Sequence, residues 1–180
     1  QDIARLGVRS DSWAGYVDNA LLDMYAKCGS FEDAHKVFED VPNQDVVSWG
    51  TIIMAYANSG NWKMAQNFLK NMSKLDLTPD ATIFANILIA CSHAGVLDVG
   101  LEFFRLIASY EGLEPTLLHY SLLIDLMART GHLALALEVI ETMPYLPKSF
   151  LWTSILTECV LYGDMRLACD CFDEAFQLDP

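Results

Sequence analysis

Residues 19–29 read NALLDMYAKCG, an apolar run that ends in a glycine. Its apolar residues recur at the spacing of one helix face: Leu21, Leu22, Met24 and Tyr25. Four later stretches end in the same way, so that turn glycines stand at positions 29, 60, 95, 131 and 163, which are 31, 35, 36 and 32 residues apart. A repeat of this length is typical of proteins built from stacked helical hairpins.

Other columns of residues keep this register and predict what each repeat contains. An aromatic residue lies eleven positions before four of the glycines and is expected to pack in the core: Trp49, Phe84, Tyr120 and Trp152. A small residue lies five positions after each glycine: Ala34, Ala65, Gly100, Ala136 and Ala168. A second amphipathic run follows each glycine, behind candidate N-caps such as Asn61 and Asp164, and Ser30 with Asp33 has the spacing of a capping box.

The pattern therefore predicts an all-α fold, a right-handed α-solenoid (superhelix) of helix-turn-helix repeats without a sheet. The repeats are expected at residues 15–45, 46–80, 81–116, 117–148 and 149–180, of which the last is incomplete. Residues 1–14 are expected to end a preceding repeat. A turn that contains proline closes each of the first four repeats.

The composition limits the possible functions. Apolar residues make up 53% and charged residues 19%, which excludes a disordered chain, and no apolar run reaches the ~20 residues that span a bilayer. Because the chain starts at Gln1 without a targeting segment, we expect it to be a piece of a longer protein. The five cysteines form no Cys-x-x-Cys pair, which fits a reducing compartment. The formal net charge of −13 opposes nonspecific binding of nucleic acid.

No catalytic or metal site is recognisable, so we expect neither an enzyme nor a cofactor. The zinc deaminase signature, His-x-Glu with Cys-x-x-Cys, is absent, and the four histidines fall at four different places of the repeat. Cys169 and Cys171 are expected to face different ways on a helix, without a histidine at ligand spacing. No glycine-rich phosphate loop is present, and no small-molecule substrate is expected.

Three strings carry a resemblance to one family: NALLDMYAKCG at 19–29, DVVSW at 45–49 and ACSHAG at 90–95. With these strings and its unequal spacing, the chain resembles the PLS subclass of plant pentatricopeptide repeat (PPR) proteins over nearly its whole length. The resemblance implies an S-type repeat at 15–45, a P-type at 46–80, an L-type at 81–116, an S-type at 117–148 and an E-type from 149. Tetratricopeptide repeats, which bind proteins, keep a constant period of about 34 residues and fit less well.

The resemblance also implies which residues read RNA bases. In the family, the fifth and the last residue of a repeat face one base, and the pairs here are Asn19 with Asp45, Gly50 with Asp80, Ala85 with Thr116, and Ser121 with Lys148. Asn19 with Asp45 resembles a pair that prefers pyrimidines, more often uracil, and Ser121 fits a purine. Gly50 and Ala85 have no side chain that could choose a base, and Lys148 replaces the usual acid or amide.

Two further columns are expected to face the RNA. By the same resemblance, the second residue of each repeat lies between neighbouring bases: Tyr16, Val47, Thr82 and Leu118, with Phe150 in the last repeat. Two positions before each of four glycines stand side chains expected to face phosphates: Lys27, Asn58, His93 and Arg129. Because Leu161 takes this place in the last repeat, that repeat is expected to have another task, such as protein contact. A cation at a helix C-terminus also complements the helix macrodipole, which is the structural alternative for Lys27 and Arg129.

We therefore expect sequence-specific binding of single-stranded RNA, as the specificity part of a C-to-U RNA editing factor in a mitochondrion or chloroplast. The resemblance implies that any deaminase lies outside this chain or in a partner, and that organellar editing-factor proteins are candidate partners. The alternative is a protein-binding helical-repeat scaffold, for example a subunit of an organellar ribosome or polymerase complex. The net charge of −13 and the residues Gly50, Ala85 and Lys148 favour this alternative.

Overall fold

The computed structural model describes residues 14–179, in which ten α-helices are joined by short turns and no strand occurs. They are α1 (Ala14–Lys27), α2 (Phe31–Asp40), α3 (Val46–Asn58), α4 (Trp62–Lys74), α5 (Ala81–Ala94), α6 (Leu97–Ile107), α7 (Leu117–Arg129), α8 (Leu133–Thr142), α9 (Ser149–Tyr162) and α10 (Met165–Leu178). The prediction of an all-α fold of helix-turn-helix repeats is confirmed. No helix in this range is long and apolar enough to cross a membrane.

A glycine turn joins the two helices of each hairpin. Gly95 follows α5 with a φ of +66°, in the left-handed region that side chains disfavour. The amide of Val96 then donates to the carbonyl of Cys91 at 3.1 Å, which closes the last turn of α5. The turn glycines at 29, 60, 131 and 163 have φ values between +74° and +80°. The five glycine signals in the sequence therefore mark real hairpin turns.

The helix N-termini agree with the sequence pattern, with one exception. Asn61 and Asp164 each accept a backbone N–H with a side-chain oxygen, at 3.3 and 3.1 Å. The expected capping box at Ser30 and Asp33 is wrong, because the Ser30 hydroxyl donates to the Asp33 carboxylate at 2.9 Å and does not cap the helix backbone. The side chain of Asp33 is one methylene shorter than the glutamate of a typical capping box. Its carboxylate accepts a hydrogen bond from the Ser30 hydroxyl and not from the Ser30 amide.

The chain divides into two compact units between Pro79 and Asp80. In the first compact unit, aromatic rings from α2, α3 and α4 form the core. The ring of Trp49 lies edge-on to Phe38, with centroids 5.0 Å apart, and Tyr56 stacks on Phe68 at 5.3 Å. Because aromatic pairs bury large apolar areas, this cluster holds the three helices together.

In the second compact unit, the helices α7 to α10 share one apolar cluster, whose members include Ile124, Ile155 and Cys159. The four aromatic residues that were predicted to lie in the core are buried to different extents. Trp49 and Phe84 are buried, whereas Tyr120 and Trp152 are half-buried and pack against the edge of this cluster.

The column of small residues is buried at every position: Ala34, Ala65, Gly100, Ala136 and Ala168. Gly100 in α6 shows why the column is small. A Cβ atom added there would overlap the Cδ2 atom of Leu126 in α7 and lie 3.5 Å from the Cβ of Cys91 in α5. The second helix of this hairpin therefore approaches its neighbours at a distance that a larger side chain would not allow.

Candidate nucleic-acid interface

Asn19 and Asp45, the first predicted base-reading pair, lie side by side in the first compact unit. Asn19 is on α1, and its Nδ2 donates to Asp45 Oδ1 at 3.4 Å. The buried hydroxyl of Ser48 in α3 donates to Asn19 Oδ1 at 2.7 Å. The carboxylate attracts the amide nitrogen and repels its oxygen, so the two contacts fix which way the amide faces. One amide N–H and one lone pair of Asn19 have no partner among the described residues.

Asp45 is itself held in place because it caps α3. Its Oδ1 accepts from the Ser48 amide at 2.8 Å, while the Asp45 amide donates to the Ser48 hydroxyl oxygen at 3.3 Å, which forms a capping box. Partial burial raises the pKa of Asp45, but the hydrogen bonds from the Ser48 amide and from Asn19 outweigh it and lower the pKa below its ordinary value. At neutral pH the carboxylate is therefore ionised and fixed beside Asn19.

Three other predicted base-reading residues offer little to a base. Gly50 is half-buried in α3 and has no side chain. Ala85 in α5 is only 4% exposed, which is less accessible than its assignment to the RNA face requires. Asp80 caps α5, where its Oδ1 accepts from the Ile83 amide at 2.9 Å.

The pair predicted in the fourth repeat is not joined. The Ser121 hydroxyl donates to the Leu118 carbonyl at 2.7 Å within α7, and the exposed Lys148 precedes α9. No hydrogen bond links Ser121 to Lys148 in the part of the chain that the structure describes. The Ser121 hydroxyl can still accept a hydrogen bond from a base.

His119 is a structural residue of this region that the sequence pattern did not reveal. It is fully buried, and its Nδ1 accepts from the Thr116 amide at 3.0 Å. Its Nε2 lies 2.8 Å from the Ala81 carbonyl at the start of α5, which makes it the protonated nitrogen. His119 thus ties the predicted base-reading Thr116 to the preceding hairpin. The spacing Thr-x-x-His was the available signal, since a side chain at that place can accept from the N-cap amide.

The column predicted to lie between bases is exposed throughout. Tyr16 is 76%, Val47 59% and Leu118 56% exposed, and Thr82 is exposed as well. Phe150 occupies the same place in the last repeat and is 48% exposed. Large apolar side chains usually lie inside a helical protein. Their recurrence on the surface at one position of the repeat is typical of a surface that binds a ligand or a partner.

Both cations of the predicted phosphate-facing column are paired with a carboxylate on their own helix. Lys27 Nζ lies 2.7 Å from Asp23 Oδ2 in α1, and Arg129 Nε lies 2.8 Å from Asp125 Oδ2 in α7. Each acid precedes its cation by four residues, a spacing that brings side chains together on a helix. The expected ladder is thus partly neutralised at its cations. The other members of the column are exposed: Asn58 and His93.

The described residues contain no group of three or more His, Cys, Asp and Glu side chains that could hold a metal ion. Cys169 is exposed and Cys171 is buried, as expected for side chains that face different ways on α10. Burial raises the pKa of Cys91 and of Cys171 to about 12. These thiols behave as small core residues.

Comparison with known proteins gives a consistent family. Residues 19–46, 47–77 and 118–145 match the model of the PPR repeat. The chain is 38% identical over 165 residues to the pentatricopeptide repeat-containing protein At3g29230 of Arabidopsis thaliana and 38% identical over 178 residues to DOT4, chloroplastic, of the same plant. It is 36% identical over 165 residues to At3g53360, mitochondrial, also of that plant. The three alignments cover 92%, 99% and 92% of this chain but only 28%, 20% and 22% of the relatives.

Solved structures share the fold at low sequence identity. The crystal structure of the pentatricopeptide repeat protein PPR10 from maize matches with a TM-score of 0.76 and 17% identity, over 91% of this chain and 24% of that chain. PPR10 in complex with an 18-nt psaJ RNA element matches with a TM-score of 0.62 and 17% identity, over 91% and 28%. The PPR domain of Arabidopsis thaliana protein-only RNase P 1, in complex with tRNA, matches with a TM-score of 0.63 and 15% identity, over 91% of each chain.

Proposed function

Because this chain contains pentatricopeptide repeats, we propose that it binds single-stranded RNA through the first helices of its hairpins. The single observation that carries the proposal is the contact between Asn19 and Asp45 at 3.4 Å. It joins the two places of one repeat that the family uses for a base, and it leaves one amide donor and one acceptor of Asn19 for a ligand. A pyrimidine edge presents a donor next to an acceptor, so the amide can satisfy both.

Stacking supplies the second part of the proposed binding. Tyr16 and Val47 are the second residues of the repeat that contains Asn19 and of the next repeat, and both are exposed. A base placed opposite Asn19 would be covered by such side chains. Stacking on an aromatic side chain contributes ~1–3 kcal/mol per base and does not depend on the base sequence.

Phosphate contacts make a small contribution in this proposal. Lys27 and Arg129 each have an acidic partner, and the net charge is −13. Each phosphate neutralised on a single strand contributes about −0.7 to the slope of log affinity against log salt. With two cations available, we expect a slope between about −1 and −2.

The test is fluorescence anisotropy with labelled RNA and DNA of the same mixed sequence, at ~20 mM and ~150 mM salt. The Lys27→Ala/Arg129→Ala chain is compared with Lys70→Ala/Arg105→Ala, which changes the net charge equally on the second helices α4 and α6. We expect RNA to bind more tightly than DNA and only the first double variant to weaken it. Absence of RNA binding at low salt, or equal losses in both variants, contradicts the proposal.

We further propose that the protein acts in a mitochondrion or chloroplast as the specificity part of a C-to-U editing factor, with the deaminase outside these residues or in a partner. Support comes from the PLS-like spacing of the repeats and from relatives named chloroplastic or mitochondrial. Inactivation of the gene, followed by sequencing of organellar transcripts, tests this. Loss of editing at one or a few cytidines is expected, whereas altered transcript ends or splicing with intact editing contradicts it.

A protein-binding scaffold is the second candidate. Specific observations favour it: Ala85 is buried, Gly50 has no side chain, and the cations Lys27 and Arg129 are paired with acids. An organellar ribosome or polymerase complex would be the partner. Purification of the tagged protein from organelles, with and without RNase, separates the two functions, since a scaffold keeps its partner after RNase treatment.

A further inference from the structure

Asp125 lies at the centre of a polar network that links three helices of the second compact unit. Its Oδ2 accepts from the Ser92 hydroxyl of α5 at 2.7 Å and from Arg129 Nε at 2.8 Å. Its Oδ1 accepts from the Ser154 hydroxyl of α9 at 3.4 Å. The Tyr162 hydroxyl donates to the Arg129 carbonyl at 2.7 Å. Arg129 is therefore held through its side chain and its backbone.

The corresponding pair in the first compact unit is built differently. The side chains of Lys27 and Asp23 are 75% and 48% exposed, against 51% and 30% for Arg129 and Asp125. Asp23 accepts a hydrogen bond from no other described residue. An exposed pair without further support holds its side chains weakly. Two acids at the same place of the repeat thus have different surroundings.

We propose that Asp125 is a positioning residue for the guanidinium of Arg129, and that the two together form the phosphate-binding element of the second compact unit. The proposal rests on the RNA-binding function proposed above. Asp125 occupies Nε, and the Nη groups of Arg129 have no hydrogen-bond partner among the described residues. A phosphate can therefore be bound by both Nη groups at once, a planar two-point contact that an ammonium group cannot make.

The proposal predicts an effect opposite to that of charge alone. Removal of one carboxylate from an acidic protein reduces its repulsion of RNA and should strengthen binding. A positioning carboxylate instead lowers the entropy that the arginine loses when a phosphate binds. Its removal should therefore weaken RNA binding despite the gain in charge.

The experiment measures RNA affinity of the 180-residue chain carrying Asp125→Asn or Asp23→Asn, two changes of equal charge. We expect Asp125→Asn to bind about threefold more weakly, the effect of having to immobilise one flexible side chain on binding. Asp23→Asn should bind as tightly as the unmodified chain or more tightly. In an Arg129→Ala background, Asp125→Asn should no longer weaken binding, whereas loss of a merely structural contact would weaken it in both backgrounds.

A second variant avoids any effect on the buried Ser92. Arg129→Lys keeps the charge at an exposed site but cannot make the two-point contact, so we expect about threefold weaker binding. The control is the same exchange at the exposed Arg105 of α6, Arg105→Lys, which should leave binding unchanged. Binding by Asp125→Asn that equals or exceeds that of the unmodified chain overturns the inference, and so does an equal loss in the Arg129→Ala background. If the unmodified chain binds no RNA at ~20 mM salt, the proposed function fails and this inference fails with it.

Discussion

Asp45 has two structural tasks that substitutions can separate. Its carboxylate caps α3 through the Ser48 amide at 2.8 Å and holds the Asn19 amide at 3.4 Å. Asp45→Asn keeps a side-chain oxygen for the cap but removes the charge that orients Asn19. Asp45→Ala removes both the cap and the contact with Asn19.

The expected losses follow from what each variant leaves unpaired. Loss of an N-cap costs about 1 kcal/mol, and the unpaired amide belongs to Ser48, which is fully buried and cannot bond to water instead. An unsatisfied buried donor costs about 1–3 kcal/mol, so we expect about 2 kcal/mol for Asp45→Ala. Asp45→Asn should lose about 0.5 kcal/mol, the contribution of a negative charge at a helix N-terminus. Asp164→Ala, a cap whose acceptor contact at 3.1 Å serves the half-buried Leu167, should cost about 1 kcal/mol as the control.

The assay is urea unfolding followed by circular dichroism, from neutral to acidic pH. Because the pKa of Asp45 is lowered in the folded chain, its ionised form adds stability that is fully present above the unfolded pKa and is lost as the pH falls through the folded pKa. The difference in free energy of unfolding between the unmodified chain and Asp45→Asn should be constant down to about pH 4 and shrink below that pH. Equal stabilities of Asp45→Ala and Asp45→Asn at neutral pH, or a difference that grows in acid, would refute this reasoning.

Further predictions concern the packing. Gly100→Ala should lower the free energy of unfolding, measured with urea, by about 1 kcal/mol. Crowding of Leu126 costs about 1–3 kcal/mol, and the better helix propensity of alanine returns about 1 kcal/mol. The control Gly15→Ala should not destabilise the chain, because an added Cβ meets no atom within 4 Å. His119→Ala should lower the free energy of unfolding by about 2 kcal/mol, since it empties a fully buried site and leaves the Thr116 amide and the Ala81 carbonyl without their partner. It should also speed hydrogen exchange of the Thr116 amide, while the exposed His132→Ala changes neither quantity. Iodoacetamide at about pH 8 should label, by mass spectrometry, only the two exposed cysteines of the native chain, because the thiolate is the reactive form and burial raises the pKa of the others; labelling of any buried thiol before unfolding would contradict this. The exposed thiols are Cys28 and Cys169, and the buried ones are Cys91, Cys159 and Cys171.

The hairpins were predictable because each depends on a local signal. A glycine with positive φ can be recognised wherever a helical run stops, and Asn61 or Asp164 caps the helix that follows it. The small column was predictable for the same reason, since close packing at one helix position recurs at the repeat spacing. The capping box at Ser30 was wrong because its side chain and that of Asp33 bond to each other and not to the helix backbone, and spacing alone does not distinguish the two arrangements.

For the candidate site, the sequence indicated which residues to consider but not what surrounds them. Asn19 and Asp45 are far apart in sequence, and only the resemblance to a family brought them together. The acids that pair with Lys27 and Arg129 stand four residues before them in the sequence. The prediction compared the same position in successive repeats, and so it did not include these neighbours on the same helix. The burial of Ala85 depends on packing between hairpins, which no local pattern contains. The roles of the predicted base-reading, base-sandwiching and phosphate-facing residues stay predictions.

The close approach at Gly100 bears on how such arrays can be recombined. Gly100 belongs to the repeat predicted at 81–116, but the side chain that fills the space beside it, Leu126, belongs to the repeat at 117–148. A designer who transplants either repeat by itself separates two halves of one fitted surface. A glycine meeting a smaller residue would leave a cavity, and an alanine meeting Leu126 would clash. Exchange of either of these two repeats therefore has to transfer the matched positions on both sides of the junction between them.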